Sequence, residues 1–394
     1  MMCAKDTEIV IVGGGPTGTS LAAALADAGV SSVLVDPRPQ IAAAPAELDA
    51  RVYALRPSSV SFLERCGIWA NADPSRLCPV HEMRVSGDDG VSVLRFDAYG
   101  AGLSQLAVIA EDANLQRAGR VTLQSKPLAT LLAGRAVVDA RWNDRAVELV
   151  LDDGSGVRAQ VAVAADGAES RLRTLAGIEI DSRPYRQRAV VANFHAQRPH
   201  RCVAFQWFRG DGVLALLPLP GDRVSMVWST GEDNAQRLAA LEPQTLARCV
   251  GDASGNALGE LSLSSAVSTF ALRLMRARAV VAPRLVIVGD AAHNVHPLAG
   301  QGLNLGLADC DALAGTMARR LPAESLASAS LLARYRRARA EEVAAMQLVT
   351  DGLQRLFDAR VPGARWLRNA GLRLVDRLAP VKHELVKRAV GRAV

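Results

Sequence analysis

Three glycine–carboxylate stretches hold most of the residues in this chain whose types and spacing could do chemistry. The first is Gly13-Gly14-Gly15-Pro16-Thr17-Gly18, a G-x-G-x-x-G pattern. Between a strand and a helix, Gly13 permits the tight turn and Gly15 lets the backbone approach a pyrophosphate. Gly18 allows close helix–strand packing. The helix start then offers free N–H groups and a partial positive charge to phosphates. Asp36, eighteen residues past Gly18, suits a ribose hydroxyl at a strand end. This segment therefore reads as a dinucleotide site rather than a purely structural turn.

The second stretch, Asp166-Gly167-Ala168-Glu169-Ser170-Arg171, is weaker, because Asp-Gly at a strand end is common in ordinary turns. The third is Gly289-Asp290-Ala291-Ala292-His293, running on through Pro297, Gly300, Gly302 and Asn304. A carboxylate at a strand's carboxyl end, then a glycine-rich loop and a long helix, is how an α/β fold builds a ligand site. Packing alone does not account for these glycines, which would only weaken a helix start.

The elements that must position these residues follow from periodicity. Residues 8–12 read as a buried parallel strand, Thr17 to Ala28 as an alanine-rich helix capped by Gly29, and 32–36 as a second strand. This β-α-β unit starts a doubly wound sheet, and strand-type runs at 147–151, 161–165 and 284–288 share its texture. From about 84 to 110 and 187 to 231 the texture changes. Runs at 190–194, 203–208, 213–217 and 224–228 are joined by turns such as Gly210-Asp211-Gly212 and Pro220-Gly221-Asp222, which predicts an antiparallel sheet in a second domain. From about 302 the chain reads as helical to its end, apart from Pro322, Pro362 and Pro380.

Composition excludes several classes. The 394 residues, 49% apolar and 22% charged, suit a globular chain of two or three domains. No apolar run is long enough for a transmembrane helix. Residues 1–8 lack a basic segment leading into a long apolar stretch, so a cytoplasmic location is expected. The six cysteines are widely spaced, with no C-x-x-C and no Cys/His cluster, so reduced thiols are expected, with no disulfide framework and no metal site. The net charge of +6 divides into +7 on residues 359–394 and −1 on the rest, which excludes a nucleic-acid-binding core.

In this order and spacing the three stretches resemble the single-component flavin aromatic hydroxylases, the para-hydroxybenzoate hydroxylase type. Within them the chain is similar to the ubiquinone-biosynthesis hydroxylases. Asp49-Ala50-Arg51-Val52-Tyr53-Ala54-Leu55 and the following Ser58–Trp69 resemble the family's arginine segment and its helix. Gly289 to Gly306 is the most specific match, and Gly212 to Leu219 fits the substrate-domain sheet. The likeness covers residues 8–345 and is loosest at Leu106 to Asn114. No W-x-W-x-I-P stretch of a flavin halogenase occurs.

The resemblance implies an α/β fold: a Rossmann-like FAD-binding domain from 1–83, 108–176 and 275–345. An antiparallel-sheet substrate domain (84–107 and 177–274) is inserted, and a helical basic tail spans 346–394. It implies that Gly13, Gly15, Gly18 and Asp36 hold the ADP half of FAD, with Gly289 and Asp290 at the ribitol. Arg51 would reach the pyrophosphate or flavin edge, and Asp166 and Gly167 would lie near the pyrophosphate and a docking nicotinamide. Pro297, Gly300, Gly302 and Asn304 would border the isoalloxazine, before a helix whose positive end favours the reduced flavin. The implied reaction passes from reduced flavin and dioxygen to a hydroperoxide that hydroxylates a polyprenylated phenol or quinol of ubiquinone biosynthesis. NAD(P)H or another donor would visit transiently, because no second glycine fingerprint exists. The alternatives are hydroxylation of a small soluble aromatic, or a flavin-binding scaffold subunit of a biosynthetic complex. No base can be named. His293 and Pro297 are the candidates in the flavin loop, although His293 and His296 read better as structural histidines, and His195 and His200 as sheet or turn residues. The basic amphipathic stretch 359–394 suits a peripheral membrane surface at the inner face, a partner protein, or a helix packed on the protein's own body with its basic face in solvent.

Overall fold

The computed structural model describes residues 5–39, 48–89, 91–294 and 301–357. Five parallel strands form the centre of an eight-stranded sheet, in the order Leu285–Ile287, Gly156–Ala164, Lys5–Val12, Ser32–Asp36, Ala129–Ala133. They are apolar on both faces, as a parallel sheet covered on both sides must be. Ile9, Ile11, Val161 and Val163 pack under the helices Pro16–Asp27, Gln301–Ala318 and Ala329–Phe357. Val10, Val12, Ala162 and Ile287 face the other way, where Leu172 and the antiparallel strands Val137–Trp142 and Val147–Leu151 cover them.

A nine-stranded sheet forms the second layer system. Its spine is the 17-residue strand Ile180–Ala196, far longer than the run at 190–194 suggests. This strand pairs with Arg223–Gly231 and Ser268–Ala277, and the sheet extends through Gly212–Leu219 and Val203–Arg209 to Glu82–Ser86 and Val93–Asp97. On one face Val190, Phe194, Leu216, Met226 and Trp228 bury against Leu238, Leu246 and Val250. Those three residues belong to the helices Glu232–Ala239 and Pro243–Ala253, which lie within the second sheet's chain segment. Burying a side chain such as Phe194 fully stabilises by about 1.5–3 kcal/mol. On the opposite face, Ala189 and Val191 cluster with Leu272, Ala50, Tyr185 and Val227. Residue parity along the strand puts these residues on the face away from the helices, where Ala50 of the arginine segment packs.

Four expected boundaries fall inside elements, among them 83/84 within Glu82–Ser86. The helix Ala329–Phe357 runs unbroken through 345/346, and Ser268–Ala277 runs through 274/275. The strand Ala107–Glu111 spans 107/108 and belongs to a small third sheet, between Val52–Leu55 and Leu77–Val80. In each case an unbroken hydrogen-bonded element crosses a change in texture.

Candidate active site

The first glycine turn forms where the strand Lys5–Val12 ends. Gly13 has φ +107°, and a Cβ there would lie 2.3 Å from the Ala165 carbonyl oxygen. A Cβ on Gly18 would lie 1.8 Å from the Gly13 oxygen, so only glycine fits at both positions. Gly15 is different. Its added Cβ meets only Arg38 Nη2, at 3.8 Å, so open space lies before the helix start. Gly15 is also the N-cap, and no side chain caps the helix. Open space, uncapped N–H groups and the helix dipole together fit a diphosphate.

Asp36 ends the neighbouring strand with its carboxylate buried. Oδ1 accepts from Arg38 N (2.8 Å) and Nε (3.1 Å), and Oδ2 accepts from Arg38 Nη2 (2.8 Å) and Arg120 Nη2 (3.3 Å). Burial alone would raise its pKa. The Arg38 hydrogen bonds and charge, with Arg120, outweigh that and hold the carboxyl below its usual range. A carboxylate offers about four acceptor positions. A ribose hydroxyl must therefore replace one of these donors, and Arg38, with 46% of its side chain exposed, is the one free to move aside.

Arg38 also begins a polar chain that sequence reasoning missed. Its Nη1 donates to Gln116 Oε1 (2.9 Å), Gln116 Nε2 donates to Asp112 Oδ2 (2.5 Å), and Tyr53 Oη donates to Asp112 Oδ1 (3.0 Å). The Arg51 guanidinium lies over the Tyr53 ring, 5.6 Å from its centre. The chain links the ribose end of the cleft to Arg51 through the helix Asp112–Gln124, which starts in the segment where the family likeness is loosest. Its one sequence signal is an Asp and a Gln four residues apart, which lie on one helix face.

The third stretch converges on the same cleft. Gly289 has φ +58°, and a Cβ there would lie 3.2 Å from Thr17 Cγ2; a Cβ on Gly306 would lie 3.0 Å from Thr17 Oγ1. The Gly-Asp turn and the helix Gln301–Ala318 thus meet backbone to backbone, with the Thr17 side chain of the first helix packed against both. Asp290 Oδ1 lies 3.6 Å from where a Gly302 Cβ would stand. Burial pushes the Asp290 carboxyl upward, and the charges of Arg51 and His293 pull it back. Arg51 and Asp290, far apart in sequence, are electrostatic neighbours here.

Other expected residues are engaged in holding the cleft. Asp166 accepts from Ser170 Oγ and from Leu172 N (3.1 Å), which caps the helix Arg171–Leu175. Gly167, at φ +84°, borders open space. Asn304 is buried; its Oδ1 accepts from Arg56 N (3.0 Å) and its Nδ2 donates to Ala54 O (2.8 Å). It clasps the end of the arginine-segment strand to the long helix. His293 is buried with Nε2 2.7 Å from Asp309 Oδ2, which also accepts from Gly289 N (2.9 Å). Asp309 Oδ1 accepts from Arg339 Nε (2.7 Å); Arg339 pairs with Glu342, and Glu342 with Arg56 (2.8 Å). Burial would lower the His293 pKa, but the charge and hydrogen bond of Asp309 hold it raised. Asp309 and Arg339 carried no local sequence signal. Pro297, Gly300 and His296, like the tail 359–394, lie outside the described residues.

One cluster has no counterpart in the sequence spacing. The cysteine spacing shows no Cys/His cluster, yet folding brings Cys78, His200 and Cys202 together, their ligand atoms all within 4.8 Å of one another. Tertiary packing brings Cys78, on the small third sheet, to the turn that holds His200 and Cys202.

The chain matches the family described as FAD binding domain over residues 6–350. It is 34% identical to ubiquinone hydroxylase UbiL of Rhodospirillum rubrum, over 98% of this chain and 90% of that protein. It is 32% identical to 3-demethoxyubiquinol 3-hydroxylase of Escherichia coli, over 99% of this chain and all of that one. The crystal structure of P. aeruginosa PqsL in complex with 2-aminobenzoylacetate superposes with a TM-score of 0.79 at 26% identity, covering 93% of this chain and 99% of that one. The p-nitrophenol 4-monooxygenase PnpA of Pseudomonas putida, at 18% identity and a TM-score of 0.80, shares the fold. FAD is therefore the cofactor, and the chain belongs to the FAD binding domain family.

Proposed function

We propose that this protein is an FAD-dependent monooxygenase that hydroxylates the aromatic ring of a polyprenylated intermediate of ubiquinone biosynthesis. The observation that carries the reading is the convergence of the Gly15 cradle, Asp36, Arg51 and the Gly289–Asp290 turn on one cleft. The relatives named ubiquinone hydroxylase and 3-demethoxyubiquinol 3-hydroxylase support the substrate class. When bound, FAD supplies the activation of dioxygen and its transfer to an electron-rich ring.

The chain's own residues bind, orient and exclude water. Gly15 and the first helical turn take the diphosphate, Asp36 a ribose hydroxyl and Asp290 a ribitol hydroxyl. Arg51 sets positive charge beside Asp290, and Asp309 holds the Gly289 amide and His293 from behind. With Nε2 held by Asp309, His293 serves as a positioning residue. Asp166 and Asn304 act through the backbone they fix, with Gly167 and Gly302 leaving room. Ala189, Val191, Val227 and Leu272 offer the ring an apolar wall that keeps water out. NAD(P)H or another donor reaches the cleft from its open side. No described helix is long and apolar enough to cross a membrane, and the basic stretch 359–394 brings the enzyme to the lipid that holds its substrate.

The test is deletion of the gene, with mass spectrometry of the quinone precursors, followed by single turnover of the reduced purified protein with dioxygen and the accumulated precursor. Accumulation of one under-hydroxylated precursor, converted by the protein, is expected. An unchanged quinone pool points to a small soluble aromatic, and peroxide without product points to a scaffold subunit.

A further inference from the structure

We propose that Cys78, His200 and Cys202 form a binding site for one zinc ion, which staples the strand Leu77–Val80 to the turn that enters the strand Val203–Arg209 of the nine-stranded sheet. The three ligand atoms lie within 4.8 Å of one another, as three corners of a tetrahedron around one ion must. They come from two elements that the fold has to hold together. Cys78 lies on the small third sheet, and His200 and Cys202 lie in the turn before the strand Val203–Arg209. Cys78 and His200 are buried, and Cys202 is half-buried.

The tautomer of His200 is set by its surroundings. Its Nε2 stands 2.9 Å from the Leu219 carbonyl oxygen and 2.8 Å from that of Gly221. Carbonyls only accept, so Nε2 carries the proton and Nδ1 presents a lone pair toward Cys202, whose N–H it accepts at 3.0 Å. A ring nitrogen donating to carbonyls while the other keeps its lone pair is the outer arrangement that orients a metal-bound imidazole. On binding, the ion takes the place of the Cys202 N–H. Cys78 Sγ has only weak partners to give up, the Pro79 carbonyl at 3.7 Å and the Cys202 thiol.

Charge and donor softness select the ion. Two thiolates, a neutral imidazole and Zn²⁺ sum to zero, which suits a site walled by Val80, Ile109, Ala204 and Leu219. The sulfur and nitrogen donors exclude magnesium and calcium as fitting occupants. Binding converts two thiols and Zn²⁺ into two zinc–sulfur bonds and two released protons, and a water on the half-buried Cys202 side completes the tetrahedron. The backbone agrees. Arg201 and Cys202 are consecutive non-glycine residues in the left-handed region, at φ 50° and 59°. Such a pair persists only when its surroundings hold it. A disulfide between the two cysteines is the competing use of the site.

The experiment uses full-length, FAD-loaded protein, stripped with a chelator under reducing conditions and titrated with Zn²⁺, with Co²⁺ as the spectroscopic probe. One equivalent of zinc, a raised Tm and cobalt d–d bands of tetrahedral, thiolate-ligated type to the red of the flavin absorption are expected. Cys78→Ser and Cys202→Ser each weaken binding at least about a hundredfold, the upper end of what loss of an outer-shell partner does. Cys249→Ser changes nothing. No zinc uptake by the wild-type chain overturns the proposal, whatever the variants do. So does uptake undiminished in the Cys78→Ser/Cys202→Ser double variant, or a Cys78–Cys202 disulfide in freshly purified metal-free protein.

Discussion

Replacing Gly15 by valine tests whether the first turn is the phosphate cradle, because the structure separates its effect on folding from its effect on binding. Gly15 has φ −73° and ψ −177°, an extended conformation open to any residue, and its added Cβ meets nothing closer than 3.8 Å. The folded protein without FAD should therefore lose only about 1 kcal/mol, the difference between a favourable and an unfavourable N-cap residue. The branched side chain would, however, occupy the space left for the diphosphate. Two lost hydrogen bonds to a charged group, at about 1.5–3 kcal/mol each, total roughly 3–6 kcal/mol. That corresponds to FAD affinity weaker by about two to four powers of ten. Gly18→Val is the contrast, since its Cβ would stand 1.8 Å from the Gly13 oxygen and the fold itself should fail. Denaturant midpoints of the flavin-free proteins and flavin fluorescence titrations read the two effects separately. A Gly15→Val protein that stays yellow with unaltered affinity, or unfolds as Gly18→Val does, refutes the reasoning.

Asp290→Ala should weaken FAD binding roughly ten- to a hundredfold, as one charged hydrogen bond of about 1.5–3 kcal/mol is lost; unchanged affinity with normal turnover removes Asp290 from the site. Asp309→Asn leaves Arg339 and His293 buried without their carboxylate and should cost about 3–5 kcal/mol by urea unfolding, against no change if the network is idle. The same pair predicts a pH profile. The folded pKa of His293 is raised above 6.5, so its stabilisation is full below that value and fades as pH rises through the folded one. Asp309 is lowered, so its share is present above about 4 and fades as pH falls through its own folded value. Asp309→Asn should flatten both limbs, and a wild-type profile that is already flat contradicts the assignment. Removing 359–394 should abolish salt-sensitive co-sedimentation with anionic liposomes, each basic residue contributing about 1 kcal/mol at best. Binding that survives the truncation shows that the contact lies elsewhere.

The chain's order of residues was sufficient for everything local. Glycines required by a positive φ, the acid that ends the second strand, the Gly-Asp turn and the alternation of the substrate sheet are all short-range steric or periodic demands, so they are legible without neighbours. Asp36 was legible as an acid at a strand end. Its saturation by Arg38 and Arg120 was not, because Arg120 reaches it from a helix eighty-four residues away. Asn304 and Asp166 looked like ligand contacts, and only folding showed their polar atoms spent on the backbone of Ala54 and Arg56 and on a helix start. The Tyr53–Asp112–Gln116–Arg38 chain, the Asp309–Arg339 support of His293 and the Cys78–His200–Cys202 cluster were decided by tertiary structure alone. The physical reason is the same in each case: a side-chain hydrogen bond or ligand set depends on distance in space, and the packing of helices and sheets sets that distance after the local elements have formed.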